Sequence, residues 1–115
     1  MQKLTVNEKL YKGIKNYLNV ISLDILNKKH QIAYTKVSNL ATEFKESCSK
    51  IKDSNLGKKM VILAYGLGYL SNALTKKDDQ LIEEAQWNIE ERIPFIKDGL
   101  EHLIKKQSRV NITLH

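Results

Sequence analysis

The feature that most limits the fold of this chain is the spacing of its apolar residues, which recur every three or four positions in four successive segments. This spacing places them on one side of a helix and therefore predicts four amphipathic α-helices. The helices are expected over Thr5 to about Lys29, about Gln31 to Lys52, about Lys58 to Leu74, and from Thr75 or Asp78 to about Lys106. Between the second and third, residues 53–57 are predicted to form a turn.

Four such helices joined by short turns predict an all-α fold, an antiparallel four-helix bundle. The junction of the first two helices holds neither Gly nor Pro, so a continuous helix of almost fifty residues is the alternative there. Because Pro94 lacks a backbone donor, we expect the fourth helix to be kinked or broken near Pro94. Residues 1–107 would form a single helical domain, and residues 108–115 a C-terminal tail.

The third helix has apolar residues on two sides and is expected to be the most buried element. One side carries leucines, and Ile62, Tyr65 and Tyr69 lie roughly opposite. Gly66 and Gly68 lie between the two sides, where each glycine costs about 1 kcal/mol of helix propensity. Close packing of a neighbouring helix would compensate for this cost, and neutral drift at tolerated positions is the alternative.

The residues that usually carry catalysis or bind metals are sparse. Cys48 is the only cysteine, and none of the three histidines, His30, His102 and His115, has a second histidine at ligand spacing. The acidic pairs of the fourth helix have no apolar pocket to shift their pKa values. The chain also lacks GxGxxG, GxxxxGK[ST], HExxH and GxSxG motifs. We therefore expect a protein that is not an enzyme, with no catalytic residue, metal or cofactor.

A cytoplasmic location is expected, because a lone cysteine is typical of a reducing compartment. The first fifteen residues contain no uninterrupted apolar run of the kind that secretory signals require. The longest uncharged run, Met60 to Thr75, has 16 residues. A membrane-spanning helix needs about 20.

The charge of the chain is unevenly distributed. The net charge is +6, and residues 1–77 contain fourteen Lys against five acidic residues. Lysines in this arrangement could follow a phosphate backbone or make peripheral contact with an anionic membrane surface. Plain solubility explains them equally well. The candidate anion-binding or nucleic-acid-binding residues are Lys9, Lys12, Lys15, Lys58, Lys59, Lys76 and Lys77.

The fourth helix carries the residues most typical of a protein interface. At 100° per residue, Trp87 falls about 160° from Ile89 and the apolar stripe, among glutamates, and Phe95 falls about 120° away. An outward Trp among acids is typical of an interface anchor for a cationic or amphipathic partner. The alternative is that a kink at Pro94 or another helix covers Trp87. The candidate partner-binding residues are Trp87, Phe95, Glu84, Glu91 and Arg109.

Residues Tyr65 to Glu84, which read YGLGYLSNALTKKDDQLIEE, resemble the apolar third helix and acidic fourth-helix start of pediocin-type bacteriocin immunity proteins. The chain also resembles that family in length, basic charge and helix number. The resemblance implies a cytosolic protein that protects its producer against a cationic antimicrobial peptide, together with a membrane receptor. It also implies that the tail from Lys105 to His115 determines specificity.

The sequence therefore supports two hypotheses on function. The first is a non-catalytic protein-binding module, an immunity or inhibitor protein that protects against a bacteriocin or toxin. The alternative is a small helical subunit of a nucleoprotein complex that binds a nucleic-acid backbone through lysines, as the small subunits of CRISPR effector complexes do. A homo-oligomer that buries the Tyr65 and Tyr69 face or the Trp87 face is compatible with both.

Overall fold

The helices of the chain follow one another with short connections in the computed structural model, which describes the backbone of residues 4–113 and the side chains of residues 4–106. Within these residues there is no strand, which confirms the all-α fold. The elements are α1 (Val6–Asn16), a π-helical turn (Tyr17–Ile21), α2 (Ser22–Leu26), α3 (His30–Cys48), α4 (Ser54–Lys76) and α5 (Asp79–Thr113).

The first predicted helix is formed by α1, the π-helical turn and α2, which continue one another without leaving the right-handed helical conformation. Thr5 caps its start, because its hydroxyl accepts from the Glu8 backbone N–H and the Glu8 carboxylate accepts from the Thr5 N–H, both at 3.2 Å. This helix ends at Leu26, and Lys28, two residues later, has a left-handed φ of 61°. The alternative of a continuous helix of almost fifty residues is therefore wrong.

Aspartates define the starts of α4 and α5. The Asp53 carboxylate accepts from the backbone N–H of Leu56 at 3.0 Å, so helix begins at Ser54, inside the segment predicted as a turn. Asp78 accepts from the N–H groups of Gln80 and Leu81. Between these helices, Lys77 has a φ of 54° and ends α4.

Pro94 lies inside α5, which continues through it as one helix, so the chain is not broken there. The same helix extends to Thr113. Residues 108–113 of the predicted tail are therefore helical in their backbone. The last two residues of that tail lie outside the described ones.

Counted with α1, the π-helical turn and α2 as one helix, the four helices pack as a bundle with a square cross-section. Each helix contacts the one that follows it in the chain, and α5 packs against α1. Within the described residues, the backbones of α1 and α4 do not approach each other closely, so the two helices lie diagonally across the bundle. The apolar residues that recur every three or four positions line the core as expected: Ile14, Phe44, Leu67 and Ile89 are each 1% exposed. Between α3 and α4, the hydroxyls of Ser38 and Ser71 lie 2.7 Å apart. On its other flank, α4 packs side by side with α5.

The expected burial of α4 holds for one of its two apolar sides only. Its leucine side is buried, whereas Ile62 is 45%, Tyr65 65% and Tyr69 49% exposed. A Cβ added to Gly66 would lie 3.3 Å from Ile89 Cγ1, which agrees with close packing. No atom lies within 4 Å of a Cβ added to Gly68. The close-packing explanation is therefore wrong for Gly68, and drift at a tolerated position fits it.

No helix among the described residues is both long enough and apolar enough to cross a lipid bilayer.

Candidate protein-binding face of α4 and α5

Exposed apolar side chains cluster where α4 and α5 lie side by side. On α4 these are Ile62, Tyr65 and Tyr69, and on α5 Trp87 is 63% and Phe95 69% exposed. The surface formed by these side chains and the polar residues between them is called the α4–α5 face below. It comprises Ile62, Tyr65, Tyr69, Glu84, Trp87, Asn88, Arg92 and Phe95.

The antiparallel packing of the two helices brings these residues together. An added Cβ on Gly66 would meet Ile89, and one on Gly99 would meet Leu56, so the chain directions are opposed. Tyr65 and Tyr69 therefore lie level with the stretch of α5 around Asn88. On α4, Ile62, Tyr65 and Tyr69 follow one another at spacings of three and four, as the core leucines do on the opposite side. This spacing places the three on one exposed side of the helix.

Shallow cavities join the exposed residues into one surface. A cavity of about 280 Å³ lies between Tyr65 and Tyr69 on α4 and Asn88 and Arg92 on α5. The next cavity, of about 120 Å³, is lined by Ile62, Arg92 and Phe95, and also by Lys59. Because Ile62 and Arg92 line both cavities, the surface is continuous from the tyrosines to Phe95.

A third cavity extends the surface to Trp87. Its volume is about 510 Å³, and its lining consists of Gln80, Glu83, Glu84, Trp87 and Asn88. Asn88 also lines the tyrosine cavity, so the two cavities adjoin. The structure thus brings Trp87 next to Glu84, as the sequence predicted. Phe95 lies two turns further along α5, about 12 Å away along its axis.

Two further candidate residues have different outcomes. Glu91 is exposed on α5, one turn beyond Trp87. The side chain of Arg109 lies outside the described residues, so its predicted contact with a partner stays a prediction.

The charges on the surface differ between its two ends. Glu83 and Glu84 line the cavity at the Trp87 end, whereas Lys59 and Arg92 line the cavity at the Phe95 end. Lys45 of α3 adds positive charge beside Tyr65, with its Nζ 5.7 Å from the ring centre. The cavity at the Trp87 end is therefore lined by acidic residues and the cavity at the Phe95 end by basic ones, with Glu91 exposed between them.

Arg92 and Asn88 were missed by the sequence analysis, although they connect all three cavities. They lie four residues apart, and Phe95 follows Arg92 at a spacing of three. That spacing puts the three on one side of a helix. The spacing could be read from the sequence. The sequence does not show, however, that this side of α5 lies next to α4 rather than in open solvent.

The lysines predicted as an alternative binding surface are exposed but do not form one patch. Lys58 and Lys76 lie near opposite ends of α4, which has 23 residues. Lys9, Lys12 and Lys15 lie on α1, which lies diagonally across the bundle from α4. Lys76 is in the last turn of its helix, where a positive charge complements the helix dipole. Local helix stabilisation thus accounts for part of the set.

A groove between α1 and α5, with a volume of about 450 Å³, is a separate concavity. Its floor carries a hydrogen bond in which the Tyr11 hydroxyl donates to Glu101 at 2.6 Å. This bond, together with burial and the negative charge of Glu101, raises the pKa of Tyr11. Lys12 and Lys105 line the groove together with Glu8 and Glu101, so the formal charges of its lining cancel.

The hydroxyl oxygen of Tyr17 is buried without a hydrogen-bond partner. Among the described residues, no other side-chain oxygen or nitrogen is in this situation. Burial, and secondarily the charge of Glu90, raises the pKa of Tyr17. Its ring is 1% exposed and belongs to the core within the π-helical turn. The Tyr17 ring therefore contributes to the packing of the core.

No metal-binding group of three or more His, Cys, Asp or Glu residues occurs in the described part of the chain. Cys48 is half-buried, and its Sγ lies 3.1 Å from the backbone oxygen of Lys45. His102 is exposed, as expected from its position away from the apolar stripe, and His30 is half-buried at the start of α3.

Comparison with known proteins adds no relative: the chain matches no family model, and no curated protein or solved structure is significantly similar to it.

Proposed function

We propose that the chain is a non-catalytic protein-binding module whose partner docks on the α4–α5 face. The observation that carries this proposal is the concentration of exposed aromatic side chains there. Of the chain's eight aromatic residues, four lie on this face. Each is about half exposed or more. Large, rigid aromatic side chains supply most of the binding energy in many interfaces.

The chemistry of the face indicates which partner it suits. Glu83 and Glu84 line the Trp87 cavity, and Glu91 is exposed one turn further along α5. These carboxylates repel the phosphates of a nucleic acid and attract a basic segment. The apolar floor between the helices suits the apolar side of an amphipathic helix. We therefore expect a cationic, amphipathic peptide or protein segment to bind.

In biological terms, we propose that this binding serves protection: the chain is a cytoplasmic immunity or inhibitor protein that neutralises the action of a bacteriocin or toxin. The resemblance of residues 65–84 to pediocin-type immunity proteins supports this role. The alternative, a nucleoprotein subunit, depends on the lysines acting together. Their separation on α1 and at opposite ends of α4 does not favour it.

Expression of the chain in a strain sensitive to pediocin-type peptides tests the proposed role. The chain should protect the cells from one such peptide, and Trp87→Ala combined with Phe95→Ser should abolish that protection. Tyr34→Ala is the matched control, because Tyr34 is an aromatic residue of α3, 38% exposed, outside the α4–α5 face. It should protect as well as the unaltered chain.

Comparable cellular levels of the three proteins, measured by immunoblot, are needed for this comparison. Protection by the double variant equal to that of the unaltered chain would contradict the assignment of the face. Lack of protection against every peptide of the class would contradict the immunity role.

A further inference from the structure

We infer that the α4–α5 face also binds a second copy of this chain, in a dimer with two-fold symmetry. The inference uses the same face as the proposed function but does not depend on the identity of the partner. It follows from the distribution of charge and apolar surface, which makes this face complementary to itself.

The Trp87 end of the α4–α5 face would bind a surface that is both basic and apolar. The Phe95 end of the same face has these properties. There, Arg92 and Lys59 flank the side chains of Ile62 and Phe95. Residues 84 and 92 lie eight positions apart, about 12 Å along α5. A second copy placed in the reverse direction would set the basic end of each chain against the acidic end of the other.

The direction of the symmetry axis follows from the same charges. An axis parallel to the helices would bring each glutamate pair against its own copy, and like charges in an interface disfavour association. An axis across the helices reverses their direction instead. It places Glu84 of one copy near Arg92 of the second and brings the exposed indole of Trp87 within reach of the same guanidinium. Arg over a Trp ring adds a cation–π attraction.

The area of the α4–α5 face limits how tightly two copies of the chain are expected to associate. It extends over about 20 Å of two neighbouring helices, each about 10 Å wide. This footprint is smaller than the roughly 800 Å² per partner of a standard stable interface. The dimer is therefore expected to be weak and transient.

Self-association on this face would compete with the proposed partner, because both need the same side chains. The dimer keeps the exposed aromatic residues covered at high chain concentration. The partner would bind the monomer, so the dimer would lower the apparent affinity for the partner as the chain accumulates.

Sedimentation velocity over a series of concentrations, from micromolar to millimolar, measures the dimer directly. The unaltered chain should pass from monomer to dimer over this range. Glu84→Lys and Arg92→Glu should each weaken the dimer at least tenfold, because each puts like charges in contact. Glu43→Lys, the same charge reversal at an exposed position of α3, is the matched control and should not.

A mixture of the two single variants gives the sharpest result. In a heterodimer, the lysine introduced at position 84 of one chain would face the glutamate introduced at position 92 of the other, and the remaining contact keeps its native Arg92 and Glu84. The mixture should therefore associate more tightly than either variant alone. A chain that stays monomeric at millimolar concentration, or a dimer that both single reversals leave intact, would overturn the inference. Neither result affects the protection test, so the two proposals can fail separately.

Discussion

At the scale of single residues, the glycines of the chain differ in what surrounds them. Gly13 of α1 faces the core, and a Cβ added there would lie 2.6 Å from Phe44 Cε1 and 3.0 Å from Leu40 Cδ1. The Phe44 ring is 1% exposed, so the added methyl group would press on a buried side chain. Gly68 of α4 instead faces solvent. Identical substitutions at the two positions therefore have opposite expected effects.

Gly68→Ala should raise the free energy of unfolding by about 0.5 to 1 kcal/mol, because alanine favours the helix and its methyl group meets nothing. Gly13→Ala gains the same propensity but should lower the free energy of unfolding by about 1 to 3 kcal/mol, through overpacking against Phe44. Urea denaturation followed by circular dichroism measures both. Equal stabilisation by the two substitutions would show that the α1–α3 contact is looser than described.

At the scale of helices, Pro94 is the residue whose local preference most conflicts with the structure around it. It interrupts the hydrogen bonding of α5 without ending that helix, and its own ring is exposed. The neighbouring core residues Ile93 and Ile96 are 4% and 1% exposed. Burial of this stripe on both sides of the proline outweighs the missing hydrogen bond.

Pro94→Ala should therefore raise the free energy of unfolding by about 1 to 3 kcal/mol, because it restores a backbone donor and removes the clash of the ring with the preceding turn. Thermal unfolding against the unaltered chain measures the change. Glu91→Ala serves as the control and should stay within about 0.5 kcal/mol, as exposed substitutions usually do. A less stable Pro94→Ala variant would mean that the core requires the local distortion that the proline imposes.

Much of the fold was predictable at this scale, because periodicity decides which side of a helix is buried. The stripes through Ile14, Leu40, Leu67 and Ile89 are in the core as predicted. The boundaries were less certain, since they depend on caps. Asp53 starts α4 within a segment whose composition is typical of a turn. The π-helical turn was not predicted, because Tyr17, Ile21 and Ile25 keep the four-residue spacing that is also typical of an α-helix.

At the scale of the whole molecule, the sequence predicted the outward direction of Trp87 but not what lies beside it. The position of a residue on a helical wheel is a property of one helix. Whether Arg92 joins the tyrosines of α4 depends on the antiparallel register of two helices, which is set by contacts such as Leu56 beside Gly99. The second apolar side of α4 was expected to be buried, but it is exposed. Periodicity shows that a side of a helix is apolar, and it cannot distinguish a side that faces the core from one that faces a partner.

The central claim is that the α4–α5 face is a surface that another protein covers. The most direct test replaces Phe95 with a photocrosslinking phenylalanine analogue in living cells, with the same replacement at Tyr34 as the control. Irradiation should give a discrete protein adduct at position 95, identified by mass spectrometry as a second copy of the chain or as the cationic partner, and none at position 34. No protein adduct at position 95, or the same adducts at both positions, would contradict the claim.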